Sequence, residues 1–236
     1  MKLNDIAIIG KGNVATHLYN ALKEKHRVSI IDPHTLSGIS DNHEIIIIAV
    51  SDNAIKEVAL KIAPSDAIIV HTAGSVPMDI FRNRFRNYGV FYPLQTFTKD
   101  VSLKYSDIPV FIEAPSENVA EKLRQLARSF TDNVSNVDSE TRKKLHLAAV
   151  FACNFTNAMA MAASELLEDS GLEFNTLLPL LRQTFNKLEK VSPQEAQTGP
   201  AKRKNKEIIN DHLNMLSDKK YLRNIYESVS EYILSY

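Results

Sequence analysis

The sequence predicts an α/β fold, a doubly wound parallel sheet followed by a smaller all-helical C-terminal domain. Short runs rich in Ile and Val alternate with helical stretches through the first half of the chain, and from about residue 139 the pattern is helical throughout. Unbroken apolar runs are typical of strands buried on both faces, and strand–helix alternation indicates a parallel sheet. We place the boundary at the segment "DNVSNVDS", which gives domains of 1–138 and 139–236.

The elements of the first domain are predicted in order from these runs. The predicted strands cover residues 5–10, 27–32, 44–50, 67–72, 89–94 and 108–114. The predicted helices cover residues 14–25, 53–63 and 116–130.

The second domain begins with one long predicted helix, for which Ser139 is the expected N-cap and Gly171 the stop. Further helices cover "FNTLLPLLRQTFNKLEKV", "KEIINDHLNML" and a last stretch that ends near Ile233. Between them, "AQTGPAKRKN" at 196–205 combines a Gly-Pro break with a cationic run, which by itself indicates a turn with solvated charges.

The composition excludes several classes of function. The chain has 236 residues, and its 28 Lys and Arg balance its 28 Asp and Glu, so nothing favours nucleic acid or an anionic membrane as a partner. One cysteine, Cys153, permits no internal disulfide and no cysteine-based zinc site, and we expect no metal. Without a signal-peptide pattern or a run approaching the roughly 18 apolar residues of a membrane span, we expect a cytoplasmic protein.

A glycine loop follows the first predicted strand. "IIGKGNVATHL" places Gly10, Gly12 and Ala15 as G-x-G-x-x-A between a strand and a helix, the context in which this motif binds dinucleotides. Gly10 permits the tight turn, Gly12 lets the backbone approach a pyrophosphate, and Ala15 lets the helix pack closely on the strand. The helix N-terminus then faces the phosphates, so Asn13 and Val14 are also candidate cofactor residues.

The second predicted strand ends at Asp32. A carboxylate at this position usually accepts hydrogen bonds from the adenosine ribose hydroxyls, which favours NAD over NADP. Arg27 lies at the opposite end of the strand, whereas His34 is near enough to bind a 2′-phosphate, so both NAD and NADP remain candidates. The alternative for Asp32 is a solvated turn residue before Pro33.

The third predicted strand ends at Val50 and Ser51. Ligands bind beyond the carboxyl ends of parallel strands, where a small hydroxyl can contact a ribose or the nicotinamide. We therefore count Val50 and Ser51 as cofactor residues. Ser51 or Asp52 is equally placed to cap the following helix, and the two roles are compatible.

Two further strand ends bring polar side chains to the same edge of the sheet. "VHTAGSVP" supplies His71, Thr72 and Ser75, and "VFYPLQTF" supplies Tyr92 and Gln95. We expect His71 and Thr72 near the cofactor, and His71, Ser75 and Gln95 near the substrate. A lone histidine at a strand end is more often structural, and a Tyr-Pro step is often only a turn.

Five motifs spread over nearly the whole chain carry a family resemblance. They are "GKGNVA", "HTAGS", "YPLQTF", "HLAAVFACNF" and "TGPAKRKN" followed by "IINDHLNML". With them the sequence resembles the Rossmann-like oxidoreductases that carry a C-terminal helical domain of unknown function. These are relatives of pyrroline-5-carboxylate reductase, of the deazaflavin-dependent NADP oxidoreductases and of the β-hydroxyacid dehydrogenases. Many members have His at the position of Tyr92 and Asp at that of Asn205, for which we favour a helix-capping role.

The resemblance implies a nicotinamide-dependent oxidoreductase that acts on a small carbonyl, imine or hydroxy substrate, and a homodimer formed through the helical domain. His146 or His71 is the candidate proton carrier. Asn154, in an apolar run on the helix face of His146, is a candidate orienting group, and Arg203 is a candidate for binding an anionic substrate. The alternatives are a sensor or scaffold that binds NAD(P) without turnover, and a protein of this fold that binds no dinucleotide.

Overall fold

The computed structural model describes residues 4–39 and 42–236, and the chain divides into two compact units, residues 1–153 and 154–236. The strands are β1 (Asp5–Ile9), β2 (Arg27–Ile31), β3 (Ile45–Ile48), β4 (Ile68–His71), β5 (Tyr88–Pro93), β6 (Val110–Glu113) and β7 (Val134–Asn136). The helices are α1 (Asn13–Leu22), α2 (Ile55–Lys61), α3 (Glu117–Ala127), α4 (Ser139–Ala149), α5 (Thr156–Leu167), α6 (Leu178–Leu188), α7 (Pro193–Ala196), α8 (Lys206–Met215) and α9 (Lys220–Leu234).

The described strands form one sheet in the order β2-β1-β3-β4-β5-β6-β7. β1 to β5 are parallel, as predicted, but β6 pairs antiparallel with β5, and β7 then runs parallel to β6. Residues 94–109, between β5 and β6, contain only one short 3-10 turn, and without a crossover helix the next strand pairs antiparallel. The sheet is therefore mostly parallel rather than wholly so.

Both faces of the sheet are covered by apolar side chains. Ile6 and Ile8 of β1 pack on one face with Leu18 of α1 and Leu123 of α3. The alternate residues of β1 face a second core that includes residues of α2. This burial on both faces is why the strands are nearly continuous isoleucine and valine, and it confirms the predicted doubly wound fold.

The long helix of the second half begins differently from the prediction. The Asp138 carboxylate accepts the backbone N–H of Thr141 at 2.7 Å, so Asp138 is the N-cap. The prediction of Ser139 as the cap is wrong, because its hydroxyl instead donates to Glu113 Oε1 at 2.8 Å. A π-helical turn over Val150–Phe155 joins α4 to α5.

The helix Ser139–Leu167 has 29 residues, and the mean hydropathy of its most apolar stretch is 1.3. By length and composition alone it is long and apolar enough to cross a membrane. This was not expected from the sequence, in which no unbroken apolar run approaches the length of a membrane span. No part of that stretch is buried inside the chain.

The helical unit has almost no interior of its own. Of residues 154–236, all of which the structure describes, only Ala201, Leu216 and Ser230 are buried. Many large apolar side chains of this unit are exposed, among them Met161, Leu166, Leu172, Leu180, Phe185, Met215, Tyr221 and Tyr232. Burial of apolar surface within this unit therefore contributes little to its stability.

Asn205 has the capping role expected of it. Its side-chain oxygen accepts the backbone N–H of Ile208 at 3.1 Å at the start of α8.

The boundary between the compact units falls between residues 153 and 154, inside the long helix, and not before that helix at residue 138 as expected. The first turns of α4 belong with the sheet because Arg142 is fully buried there and pairs with Glu113 of β6.

Candidate functional site

The glycine loop lies at the edge of the sheet where the strand order reverses, since β1 sits between β2 and β3. This is the place where doubly wound folds bind ligands. A cavity of about 260 Å3 opens there. Its lining residues include five predicted cofactor residues besides Gly10: Gly12, Asn13, Val14, Val50 and Ser51.

The two glycines of the loop have different functions. Gly10 has φ +140°, and a Cβ there would overlap the carbonyl oxygen of Ala49, so the tight turn requires glycine. Gly12 has φ −83° and no atom within 4 Å of a Cβ position, so nothing in the protein occupies the space above it. That open space at the N-terminus of α1 is what a bound pyrophosphate needs. Ala15 is buried, as the motif predicts.

Asp32 is not a free carboxylate. Lys11 Nζ lies 2.5 Å from its Oδ2, and the backbone N–H of His34 donates to its Oδ1 at 2.8 Å. The bond from Lys11, with that from His34, lowers the pKa of Asp32 to about 2. Sequence reasoning missed Lys11, although its place between the two glycines is a usable signal.

The loops after β3 and β4 are joined by a hydrogen bond in which the Ser75 hydroxyl donates to Asp52 Oδ2. Ser51 precedes the 3-10 turn Asp52–Ala54 but makes no capping bond with its side chain. All three side chains are exposed, so this part of the rim presents hydroxyl and carboxylate groups to solvent.

His71 lies inside the core rather than in the site. Its ring is fully buried against Phe81, and its Nδ1 accepts the backbone N–H of Ala73 at 3.2 Å. Burial, and secondly the charge of Arg142, lower the pKa of His71 to about 3. The imidazole is therefore neutral near pH 7 and cannot act as an imidazolium acid. Thr72 is half-buried beside it.

His146 of α4 packs on the loop after β4 and pairs with a tyrosine of β5. Its Nδ1 lies 3.1 Å from the Tyr92 hydroxyl, and the two rings meet edge to face. A Cβ on Gly74 would lie 2.6 Å from the same nitrogen, so the imidazole covers the glycine directly. Burial raises the pKa of Tyr92, which keeps its hydroxyl protonated.

Arg142, one helical turn before His146, fixes this arrangement. Its Nη1 donates to the carbonyl oxygens of Ala73 and Gly74 at 2.9 and 2.8 Å, and its Nη2 donates to Glu113 Oε2 at 2.8 Å. This role of Arg142 is hard to predict from the sequence, because the residue stands in the charged run "SETRKK", which resembles a solvated helix start.

The remaining predicted site residues are exposed. The side-chain oxygen of Gln95 accepts the backbone N–H of Thr96 at 2.8 Å. Asn154 stands in the π-helical turn, and its side chain is exposed rather than enclosed by the apolar run around it. Arg203 is exposed in the turn before α8, where Gly199 has φ +108°. Among the described residues, no cluster of three or more His, Cys, Asp or Glu side chains is placed to hold a metal ion.

A mostly parallel sheet, a glycine loop at its switch point and polar strand ends define a Rossmann-type nucleotide-binding fold. A family model described as a domain of unknown function, DUF2520, matches residues 108–233, and the chain belongs to this family. Among curated proteins, no sequence matches the chain.

Solved structures extend the similarity to the whole chain. A proposed NADP oxidoreductase from Bacteroides fragilis is 36% identical, with a TM-score of 0.93 over 99% of both chains. A Thermotoga maritima protein, TM1727, is 21% identical, with a TM-score of 0.74 over 97% of this chain and 96% of that one. A reductive aminase from Aspergillus terreus, in complex with NADPH and ethyl levulinate, is 14% identical, with a TM-score of 0.69 over 98% of this chain and 93% of that one.

Proposed function

We propose that this chain is a nicotinamide-dinucleotide-dependent oxidoreductase that acts on a small carbonyl, imine or hydroxy substrate. The observation that carries the proposal is the glycine loop. Gly10 is required by its backbone, whereas the space above Gly12 is left open at a helix N-terminus that lines a cavity. The name of the 36% identical Bacteroides fragilis protein supports the same activity.

When bound, the dinucleotide supplies or accepts the hydride at its nicotinamide ring. The chain must then orient the substrate and move one proton to or from the substrate oxygen or nitrogen. We assign the proton to His146, which shares a hydrogen bond with Tyr92, and we assign substrate orientation to Ser75. His71 is left out because its ring is buried and neutral.

Cofactor binding is tested by titrating NADH and NADPH and following nicotinamide fluorescence. Gly12→Asp places a carboxylate where the pyrophosphate is proposed to sit, and the φ of Gly12 accepts any residue. We expect binding to fall at least 100-fold with an unchanged melting temperature. Asn118→Asp adds the same charge on an exposed part of α3 and serves as the control. Equal binding by Gly12→Asp and the native chain contradicts the proposal.

Turnover is tested by screening imines, keto acids and hydroxy acids for a change in nicotinamide absorbance. His146→Ala is expected to reduce the rate about 100-fold or more, the usual contribution of a general acid, with dinucleotide affinity within threefold of the native value. Tight binding without turnover across the screen favours a sensor or scaffold instead.

We also propose that the helical unit pairs with a second copy of the chain, as a cytoplasmic homodimer. Support comes from the exposed apolar side chains of residues 154–236 and from a cavity of about 310 Å3. The cavity is lined almost wholly by apolar residues of α5, of α9, of the turn before α8 and by Leu216 at the end of α8. A unit with three buried residues needs additional apolar contacts to be stable. The helix Ser139–Leu167 is assigned to this contact rather than to a membrane because its first half carries the buried pair of Arg142 with Glu113.

Sedimentation velocity at micromolar concentration tests the dimer. Met161 and Leu60 are 66% and 57% exposed in the single chain, in the helical unit and in α2 respectively. Met161→Glu is expected to give a monomer, whereas Leu60→Glu remains a dimer. A native monomer at all concentrations, or a chain that sediments only with detergent, contradicts the proposal.

A further inference from the structure

Lys11 pairs with Asp32, the carboxylate at which the sequence favours NAD over NADP. It is the residue between Gly10 and Gly12, and its Nζ lies 2.5 Å from Asp32 Oδ2 at the end of β2. In folds of this type the residue at the end of β2 faces the 2′ position of the adenosine ribose. The ammonium of Lys11 therefore lies beside the 2′ substituent of any dinucleotide bound on this loop.

The usual reason for an NAD preference is weakened by the contacts of Asp32. That reason requires a carboxylate that is available to accept the 2′ hydroxyl of the ribose, and a net negative charge that repels a phosphate. Here Oδ1 accepts the N–H of His34 and Oδ2 accepts from Lys11. The pair as a whole is electrically neutral.

The carboxylate of Glu57, whose pKa responds to His34, is also paired with a lysine. Glu57 of α2 pairs with Lys61 at 2.7 Å. His34 acts on the same carboxyl, because Lys61 first and His34 to a smaller extent lower the pKa of Glu57. A phosphate approaching Lys11 thus meets two carboxylates, those of Asp32 and Glu57, that are each already paired with a lysine.

A lysine side chain can bind a carboxylate and a phosphate at the same time. An ammonium has three donors, so Nζ can keep one bond to Asp32 and offer the others to phosphate oxygens. The Lys11 side chain is 65% exposed, so its flexible stem is free to adjust.

We propose that Lys11 binds the 2′-phosphate of NADP(H), and that Asp32 holds this lysine in position rather than selecting NAD. The inference rests on the proposed function, since it requires a dinucleotide on the glycine loop. It predicts that the chain prefers NADP(H) to NAD(H), and it attributes this preference to the side chain of Lys11 in the glycine loop.

The test is a set of fluorescence titrations with NADPH and NADH on the native chain and two variants. Lys11→Met keeps the stem and removes the charge. We expect its dissociation constant for NADPH to rise about 10- to 100-fold, as for the loss of a charge-assisted hydrogen bond, and its constant for NADH to change less than threefold. The matched control is Lys23→Met, at the far end of α1, with both constants unchanged.

The outcomes separate the two proposals. If the native chain binds neither dinucleotide, the proposed function itself fails. If it binds NADH more tightly than NADPH, or if Lys11→Met weakens both cofactors equally, the assignment of Lys11 is wrong and the proposed function stands. A second readout does not involve the nicotinamide. If 2′,5′-ADP displaces NADPH from the native chain and ADP does not, and if Lys11→Met no longer shows this difference, the assignment of Lys11 is supported.

Discussion

The two units of this chain are stabilised in different ways. In the first, β1 and β3 are flanked by apolar layers on both faces, and even polar groups such as Arg142 and His71 are fully enclosed. In the second, the five helices contain no fully buried apolar side chain, and many of their large apolar side chains are exposed. The first unit can therefore hold a ligand loop rigidly, whereas the second leaves apolar surface exposed for the proposed dimer contact.

The difference has a consequence for where function resides. Every hydrogen-bonded group assigned to the cofactor or the proton belongs to the first unit, including His146, whose helix continues into the second. A rigid support is what a catalytic arrangement needs. The comparison predicts that substitutions at buried polar groups of the first unit have large effects, and that those in the helical unit have smaller, association-dependent ones.

The largest effect is expected from Arg142→Ala. It leaves Glu113 nearly buried without its partner and removes two bonds to the loop carbonyls, a change that destabilises proteins by about 3–5 kcal/mol. Urea unfolding followed by circular dichroism measures it. Lys144→Ala, in the same helix and paired with Glu140 on the surface, should change stability by less than about 0.5 kcal/mol. If the two variants lose similar amounts of stability, the prediction that a buried charge in α4 contributes more than an exposed one is wrong.

A smaller effect is expected from His71 as the pH falls. The unfolded chain takes up a proton near the usual pKa of about 6.5, whereas folded His71, with a pKa of about 3, does not. Its stabilising contribution is thus complete above pH 6.5 and falls by about 1.4 kcal/mol per pH unit below it, so roughly 2 kcal/mol is lost at pH 5. Unfolding at pH 7 and pH 5 should show a weaker pH dependence in His71→Asn and an unchanged one in His34→Asn, an exposed control. Equal dependence in all three proteins would contradict a buried neutral imidazole.

The smallest effect is expected from Asn205→Ala, in the helical unit. Loss of the cap of α8 destabilises by about 1 kcal/mol, and Asn205→Asp, which keeps an acceptor oxygen, should be close to the native chain. If the proposed dimer stabilises this unit, the melting temperatures of the native chain and of Asn205→Ala should both fall as the protein is diluted. Melting temperatures that are independent of concentration would indicate that the helices are stable in a single chain.

The fold was predictable where one local pattern dominated. The isoleucine-rich strands and the G-x-G-x-x-A loop are set by burial on both faces and by a backbone turn, and both leave a direct trace in the sequence. The direction of β6 was not predictable, because it depends on the path of residues 94–109, which contain no periodic pattern. β7 was missed because its three residues, "VSN", are too short and polar to resemble a strand.

The candidate site was predictable from strand ends but not from side-chain directions. The glycine spacing predicted the loop that lines the cavity at the switch point of the sheet, but the sequence did not distinguish His71 from His146. One ring is directed into the core and the other onto Gly74, a difference set by tertiary packing. Lys11, Arg142 and the bond between Tyr92 and His146 depend on contacts distant in sequence, which no local pattern encodes.

The contact between Gly74 and His146 constrains which residues can evolve at these two positions. Any side chain at 74 would displace the imidazole, so a lineage of this family can enlarge residue 74 only after residue 146 has become smaller. In an alignment of relatives, glycine at the first position should therefore accompany a ring at the second, and the two should change together. Such paired variation would show, from sequences alone, that α4 contacts the loop at Gly74.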